Sequence, residues 1–146
     1  MTISSQLLRS LQFYVTQPEN AATIEQAWAE CENDLRTQPG LQMAYRAAVP
    51  KLELPDTSTM FSLWVFAFAP NGESDTHKHS NSTQITCTWR GSGRLRIGDP
   101  AQAIEVVPPS PSIEQNPEGN WAVIPSSVFH HAKAAATGWS VVSFQT

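Results

Sequence analysis

The chain has 146 residues, 40% of them hydrophobic and only 15% charged, a balance that describes a single globular domain with one core rather than a disordered chain. Its formal net charge of −4 argues against nucleic acid or an anionic membrane as the partner. No apolar run approaches the roughly 18 residues that a membrane helix needs, and MTISSQLLRSLQF lacks the charged start and long apolar block of a signal peptide. The expectation is a cytoplasmic protein, with Cys31 and Cys87 as reduced, unpaired thiols because they form no CxxC pair.

The first forty residues read as helix. Ser4 or Ser5 can cap a short segment carrying Leu7, Leu8, Leu11 and Phe13 at mixed i, i+3, i+4 spacing. Pro18 and Asn20 punctuate, and AATIEQAWAECENDLR then runs to the breaker Pro39-Gly40. Ala22, Ile24, Ala27, Trp28, Cys31 and Leu35 form its apolar stripe, which needs a surface to cover. A downstream sheet face is the natural one. Residues 1–40 are thus expected to form a helical extension packed on a β domain of residues 41–146.

From residue 41 the texture is strands and turns. MFSLWVFAFA (60–69) is apolar on both alternating faces, as expected of a strand covered on both sides, by a core and by either the helices or a second subunit. PNGES is a turn by its Pro, Asn and Gly. TQITCTWR (83–90) and GRLRI (93–97) flank Gly91-Ser92-Gly93, which predicts a hairpin. QAIEVV (102–107) is a further strand, and the proline-rich VPPSPSIEQNPEGN an exposed loop. NWAVIP, SVFHHAKA and GWSVVSFQ predict three closing strands, so the class is all-β.

His77 and His79 lie one residue apart in THKH, and in an extended segment both point the same way while Lys78 points away. Two such imidazoles make half of a metal site, although exposed loop histidines would give the same pattern. The third element is Gly119-Asn-Trp-Ala-Val-Ile-Pro125-Ser-Ser-Val-Phe-His130. Together the two stretches resemble the paired motifs of the cupin superfamily, G(X)5HXH(X)3,4E(X)6G and G(X)5PXG(X)2H(X)3N. Gly72, His77, His79, Gln84 and Gly91 fall on the first and Gly119, Pro125 and His130 on the second. The chain departs in four places. Gly72 stands one residue closer to His77, Gln84 replaces the usual Glu, and Ser127 and Ala134 replace the Gly and Asn of the second motif.

The resemblance implies a cupin (double-stranded β-helix, jelly-roll) barrel with an N-terminal helical extension. It also implies a divalent metal ion on His77, His79 and His130, with Fe(II) favoured and Zn, Ni or Mn as alternatives, and a homodimer. Three-histidine sites occur in some cupin dioxygenases, the thiol dioxygenases among them. Three neutral imidazoles would leave the ion its full charge and open positions, suited to a small anionic or chelating molecule. The expected function is a metal-dependent oxygenase in which Gln84 orients the substrate. A non-catalytic ligand-binding module and a metal-dependent lyase or isomerase stand as alternatives.

Around this site, Thr86 and Thr88 should share the inward face with Gln84, and Cys87 and Trp89 should face the other way. His131 should oppose His130. Asp75 is either a hydrogen-bond acceptor for an imidazole or a turn residue. Arg90, Arg94 and Arg96 either attract an anion or form a solvated face. The five tryptophans read as packing residues, and Tyr14 and Tyr45 as lying upstream of the barrel strands.

Overall fold

The computed structural model describes residues 3–55, 57–107 and 117–146. Two helices precede six strands. Helix α1 spans Ser5–Thr16, and its N-cap is Ser4, whose hydroxyl accepts from the Leu7 N–H at 3.1 Å. Helix α2 spans Pro18–Thr37. Pro18 is its first residue rather than a break before it, because proline at N1 loses no helical hydrogen bond and brings a preset φ. Leu8, Leu11 and Val15 of α1 and Ile24, Ala27 and Cys31 of α2 are buried, while Phe13 is 67% exposed and Ala22 is also outside the packed stripe.

The strands are β1 (Met43–Glu53), β2 (Met60–Phe68), β3 (Gln84–Ile97), β4 (Ile104–Val106), β5 (Ala122–Ile124) and β6 (His130–Gln145). A short helix, α3 (Pro117–Asn120), precedes β5. All strand pairs are antiparallel, in the order β1-β2-β6-β3-β4, with β5 also paired to β3. This is a β-sandwich-like sheet bent on itself; among the described residues β1 and β4 are not paired with each other, so a closed barrel is not formed by these pairings. The proline-rich loop expected at 107–120 lies mostly outside the described residues.

Two expectations about strand number are corrected. Gly91-Ser92-Gly93 is not a hairpin: β3 runs through it and stays paired with β6 from Gln84 to Ile97, with register shifts at Thr88/Arg90 and Gly91/Gly93. Likewise HHAKA and GWSVVSFQ belong to the single strand β6, with Ser127, Val128 and Phe129 preceding it. The glycines provide a bend instead of a turn. Gly91 has φ +71°, and a Cβ there would sit 2.3 Å from the Gly138 carbonyl oxygen. A Cβ on Gly93 would sit 2.1 Å from the Trp139 ring. Only glycine allows the two strands to approach this closely while changing direction.

The buried apolar residues form two large clusters and a small third one of Cys31, Ala44 and Ala67. Phe61, Leu63, Val65, Ile85, Cys87, Val142 and Phe144 form one face of the sheet and pack against α1 and α2. Fully burying a side chain such as Leu11 or Ile24 contributes about 1.5–3 kcal/mol. The alternate residues of the same strands turn toward the inside of the bend, where Phe68, Leu95, Ile124, Ala132, Trp139 and Val141 make the second cluster. The double apolarity of β2 is therefore met by helices on one side and by an internal chamber on the other.

Candidate metal centre and its chamber

His130 begins β6, and His77 lies in the loop between β2 and β3. The two form an isolated antiparallel bridge: the His77 N–H donates to the His130 carbonyl at 3.1 Å, and the His130 N–H donates to the His77 carbonyl at 2.8 Å. His79 is held by a different contact, the Ser127 N–H donating to its carbonyl at 2.7 Å. Ser127 sits at φ +62° and its hydroxyl donates to the Ser80 carbonyl at 3.3 Å. The left-handed backbone explains why the resembled motif has Gly at this position.

These contacts gather three imidazoles. The ring centroids lie 4.3 Å apart for His77–His130, 5.0 Å for His77–His79 and 5.3 Å for His79–His130. One nitrogen of each lies within 4.8 Å of the others, so the three could share one ion. His77 Nδ1 lies 2.7 Å from the Asp75 carbonyl oxygen and His130 Nδ1 lies 3.3 Å from the Val128 carbonyl oxygen. A carbonyl only accepts, so both Nδ1 atoms carry the proton and both Nε2 atoms present a lone pair. His79 Nε2 is buried with no hydrogen-bond partner. An unsatisfied buried nitrogen beside two exposed lone pairs is the donor set that a divalent ion fits.

Electrostatics favour the neutral form of His79 and of His130. Burial, followed by the charge on His77, lowers the pKa of His79. Burial followed by His77 lowers that of His130 to about 4, outweighing the Val128 carbonyl, which acts in the opposite direction. Both rings are neutral near pH 7 and need shed no proton to bind a metal.

The triad opens on a cavity of about 260 Å³. Gln84, expected to face the histidines, is buried and lines this cavity, and its side-chain amide makes no hydrogen bond to any described residue. Thr86 also lines it, but its hydroxyl is engaged with that of Ser143 at 3.0 Å. Thr88 is buried and accepts from Trp139 Nε1 at 3.1 Å. Cys87 faces the helices, as alternation requires, in the fully buried cluster there.

The remaining candidates divide clearly. His131 stands outside the triad, 3.2 Å from a Glu73 carboxylate oxygen. Asp75 does serve an imidazole, but through its backbone carbonyl rather than its carboxylate. Arg90 pairs with Glu25 at 2.9 Å and lies over the Trp28 ring, Arg94 pairs with Glu105 at 3.2 Å, and Arg96 reaches the Pro100 carbonyl. None of the three lines the chamber.

The sequence reading missed what the chamber wall is made of. Tyr45 lies within β1 and, with Trp64, Phe66 and Phe68 of β2 and Trp139 of β6, lines the cavity. Two tryptophans assigned to packing therefore face the site. The available signal was the alternation of Trp64, Phe66 and Phe68 along β2, on the face opposite the helix-covered Leu63 and Val65.

No protein-family model matches the sequence, and no curated protein matches it. Solved structures do match by shape. A recombinant oxalate oxidase in complex with glycolate aligns with TM-score 0.52 at 24% identity, over 74% of this chain and 53% of that one. The polyketide cyclase RemF from Streptomyces resistomycificus aligns with TM-score 0.50 at 21% identity, over 71% of this chain and 64% of that one. The chain thus spans between about half and two thirds of these neighbours, both of cupin fold. With its bent antiparallel sheet and its three clustered histidines, the chain is a protein of the cupin fold.

Proposed function

We propose that the protein binds one divalent metal ion through His77, His79 and His130 and uses it to act on a small chelating molecule, as a non-haem oxygenase. The observation that carries the metal reading is the buried, unpartnered His79 Nε2 beside two imidazoles whose Nδ1 atoms are already committed to carbonyls. A bound ion would supply Lewis acidity, and electron-transfer chemistry if it is iron. The chain's own residues would do the rest. The histidines keep one side of the ion fixed, the aromatic wall excludes water, and the free amide of Gln84 orients the guest by hydrogen bonding.

The lyase or isomerase alternative has less support. Among the described residues lining the cavity there is no Asp, Glu, Lys or Cys to move a proton, and the one phenol, Tyr45, is 54% exposed. The same scarcity favours a second reading, a binding module that holds metal and ligand without turnover.

Metal analysis tests the first step: wild type should retain about one ion per chain, and a His77→Ala, His130→Ala double variant that retains as much would sink the metal reading. Oxygen uptake by iron-loaded protein offered thiols, β-diketones and catechol-like acids then separates the two functions. Uptake that disappears in Gln84→Ala supports the oxygenase, and metal-loaded protein inert to all of them supports the binding module.

A further inference from the structure

We infer that the guest of this chamber is a flat, ring-bearing chelator of at most one negative charge, rather than a small polyanion such as a dicarboxylate, a sugar acid or a phosphate. The inference rests on the metal reading above and narrows it.

Three features of the chamber lead to this class. First, among the described residues that line it there is no Arg or Lys and, apart from the histidines, no titratable side chain but the Tyr45 phenol. A dianion entering such a space would lose its hydration and meet a single cation in return, whereas a molecule that binds through one enolate or phenolate oxygen and a neighbouring carbonyl leaves no second charge uncompensated. The arginines of β3 lie elsewhere, with Arg90 and Arg94 held by Glu25 and Glu105.

Second, part of the wall is aromatic, in two groups of neighbouring rings. The ring centroids of Tyr45 and Phe66 lie 6.0 Å apart, those of Trp64 and Phe66 6.4 Å apart at 30°, and those of Phe68 and Trp139 5.7 Å apart at 25°. Near-parallel rings along one wall offer a flat guest offset stacking. Trp64 and Phe66 are only partly buried, so apolar surface is left uncovered where a guest would lie.

Third, most of the hydrogen-bonding groups form one narrow strip, with Gln84 opposite Gln145 and Thr86 opposite Ser143 in the strand register, while the Ser74 hydroxyl accepts from the Ala132 N–H at 3.0 Å. The Thr86 and Ser143 hydroxyls satisfy one another, which leaves the amides to read the polar edge of a guest. A polyhydroxylated molecule would need more partners than this strip provides. The volume of about 260 Å³ lies near the lower end of ordinary ligand pockets, enough for one small ring system.

The test uses zinc-loaded protein, so that binding is not confused with oxidation, and titrates it calorimetrically with maltol, a flat hydroxypyranone chelator, and with oxalate, a ringless dianionic one. Trp64→Leu and Phe66→Leu should each weaken maltol binding at least fivefold and leave oxalate within twofold, with thermal melts confirming that each variant is folded. The inference is overturned if both probes respond alike, or if wild type prefers oxalate after correction for each chelator's affinity for free zinc.

Should the protein retain none of zinc, iron(II), nickel(II) or manganese(II), the metal reading falls by itself. The aromatic wall is then decided with 2-naphthol and metal-free protein, read by tryptophan fluorescence. Binding that weakens at least threefold in Phe66→Leu supports the wall as a ring-binding surface, and no saturable binding overturns it.

Discussion

His77 and His130 are joined through their backbones, each N–H donating to the other's carbonyl at 3.1 and 2.8 Å, so the two imidazoles are brought together by main chain rather than by side-chain contacts. Replacing either side chain leaves this bridge intact. His77→Ala and His130→Ala should therefore fold, with melting temperatures close to the metal-stripped wild type, while metal content falls from about one ion per chain toward zero. His131→Ala should retain its metal. Inductively coupled plasma analysis beside thermal melts checks both halves of this expectation.

Metal removal should itself be visible in stability. A ligand present at 100 times its dissociation constant stabilises the folded state by about 2.7 kcal/mol, worth roughly 5–10 °C for a domain of this size. Chelation should lower the melting temperature of wild type by that order and leave the His77→Ala variant unmoved.

Ser127 gives a test of backbone strain. A non-glycine residue at φ +62° costs about 1 kcal/mol, partly offset by the hydroxyl bond to Ser80. Ser127→Gly should be neutral or stabilise by up to about 1 kcal/mol. Ser127→Ala keeps the strain and loses the bond, so it should destabilise by about 0.5–1.5 kcal/mol. Urea denaturation of the pair decides, and the reverse order would refute the strain argument.

Gly91 closes the first motif and Gly119 opens the second, and the two should respond differently to alanine. A Cβ at Gly91 meets the Gly138 carbonyl at positive φ, whereas nothing lies within 4 Å of one at Gly119. Gly91→Ala should cost about 1–3 kcal/mol or more through overpacking and strain, and Gly119→Ala should change stability by less than about 1 kcal/mol.

Both cysteines should resist modification. Burial pushes the Cys31 thiol up to about 11, more than the opposing Arg46 charge lowers it, and burial also pushes Cys87 up. Ellman's reagent at pH 8 should react only after unfolding. The pH dependence follows from the same shift. Below the ordinary thiol value of 9.0 both folded and unfolded chains keep their protons. As pH rises from 9 through about 11, the unfolded chain releases a proton that the fold retains at Cys31. Stability therefore falls across that window, and Cys31→Ala should flatten the decline.

Much of the architecture was legible because it follows local rules. The stripe of Ile24, Ala27 and Cys31 and the period-two pattern of β2 are buried as their spacing requires. The histidines could be paired across fifty residues only because Gly72, Pro125 and their neighbours carry a recognisable frame. What local rules could not supply was the difference between a glycine turn and a glycine bend at Gly91–Gly93. Both need the same residues, and only the pairing of β3 with β6 on each side separates them. Tyr45 was misplaced for a related reason. Strand β1 has weak alternation of its own, and its inward face is defined by Phe66, its partner in β2.

The bend in the β3–β6 ribbon has a mechanical meaning for the chamber. β3 supplies Gln84 from one arm and Leu95 from the other, and β6 supplies His130 and Ala132 from one arm and Trp139 and Val141 from the other. The two arms are the same pair of chains, hydrogen-bonded along both lengths. At the bend the ladder is interrupted, with Gly91 opposite Trp139 and Gly93 opposite Ala134, and there Gly93 fits against the face of Trp139. One ribbon thus builds two walls of the chamber, and the angle between them is set where Gly91 meets the Gly138 carbonyl and Gly93 meets the Trp139 ring.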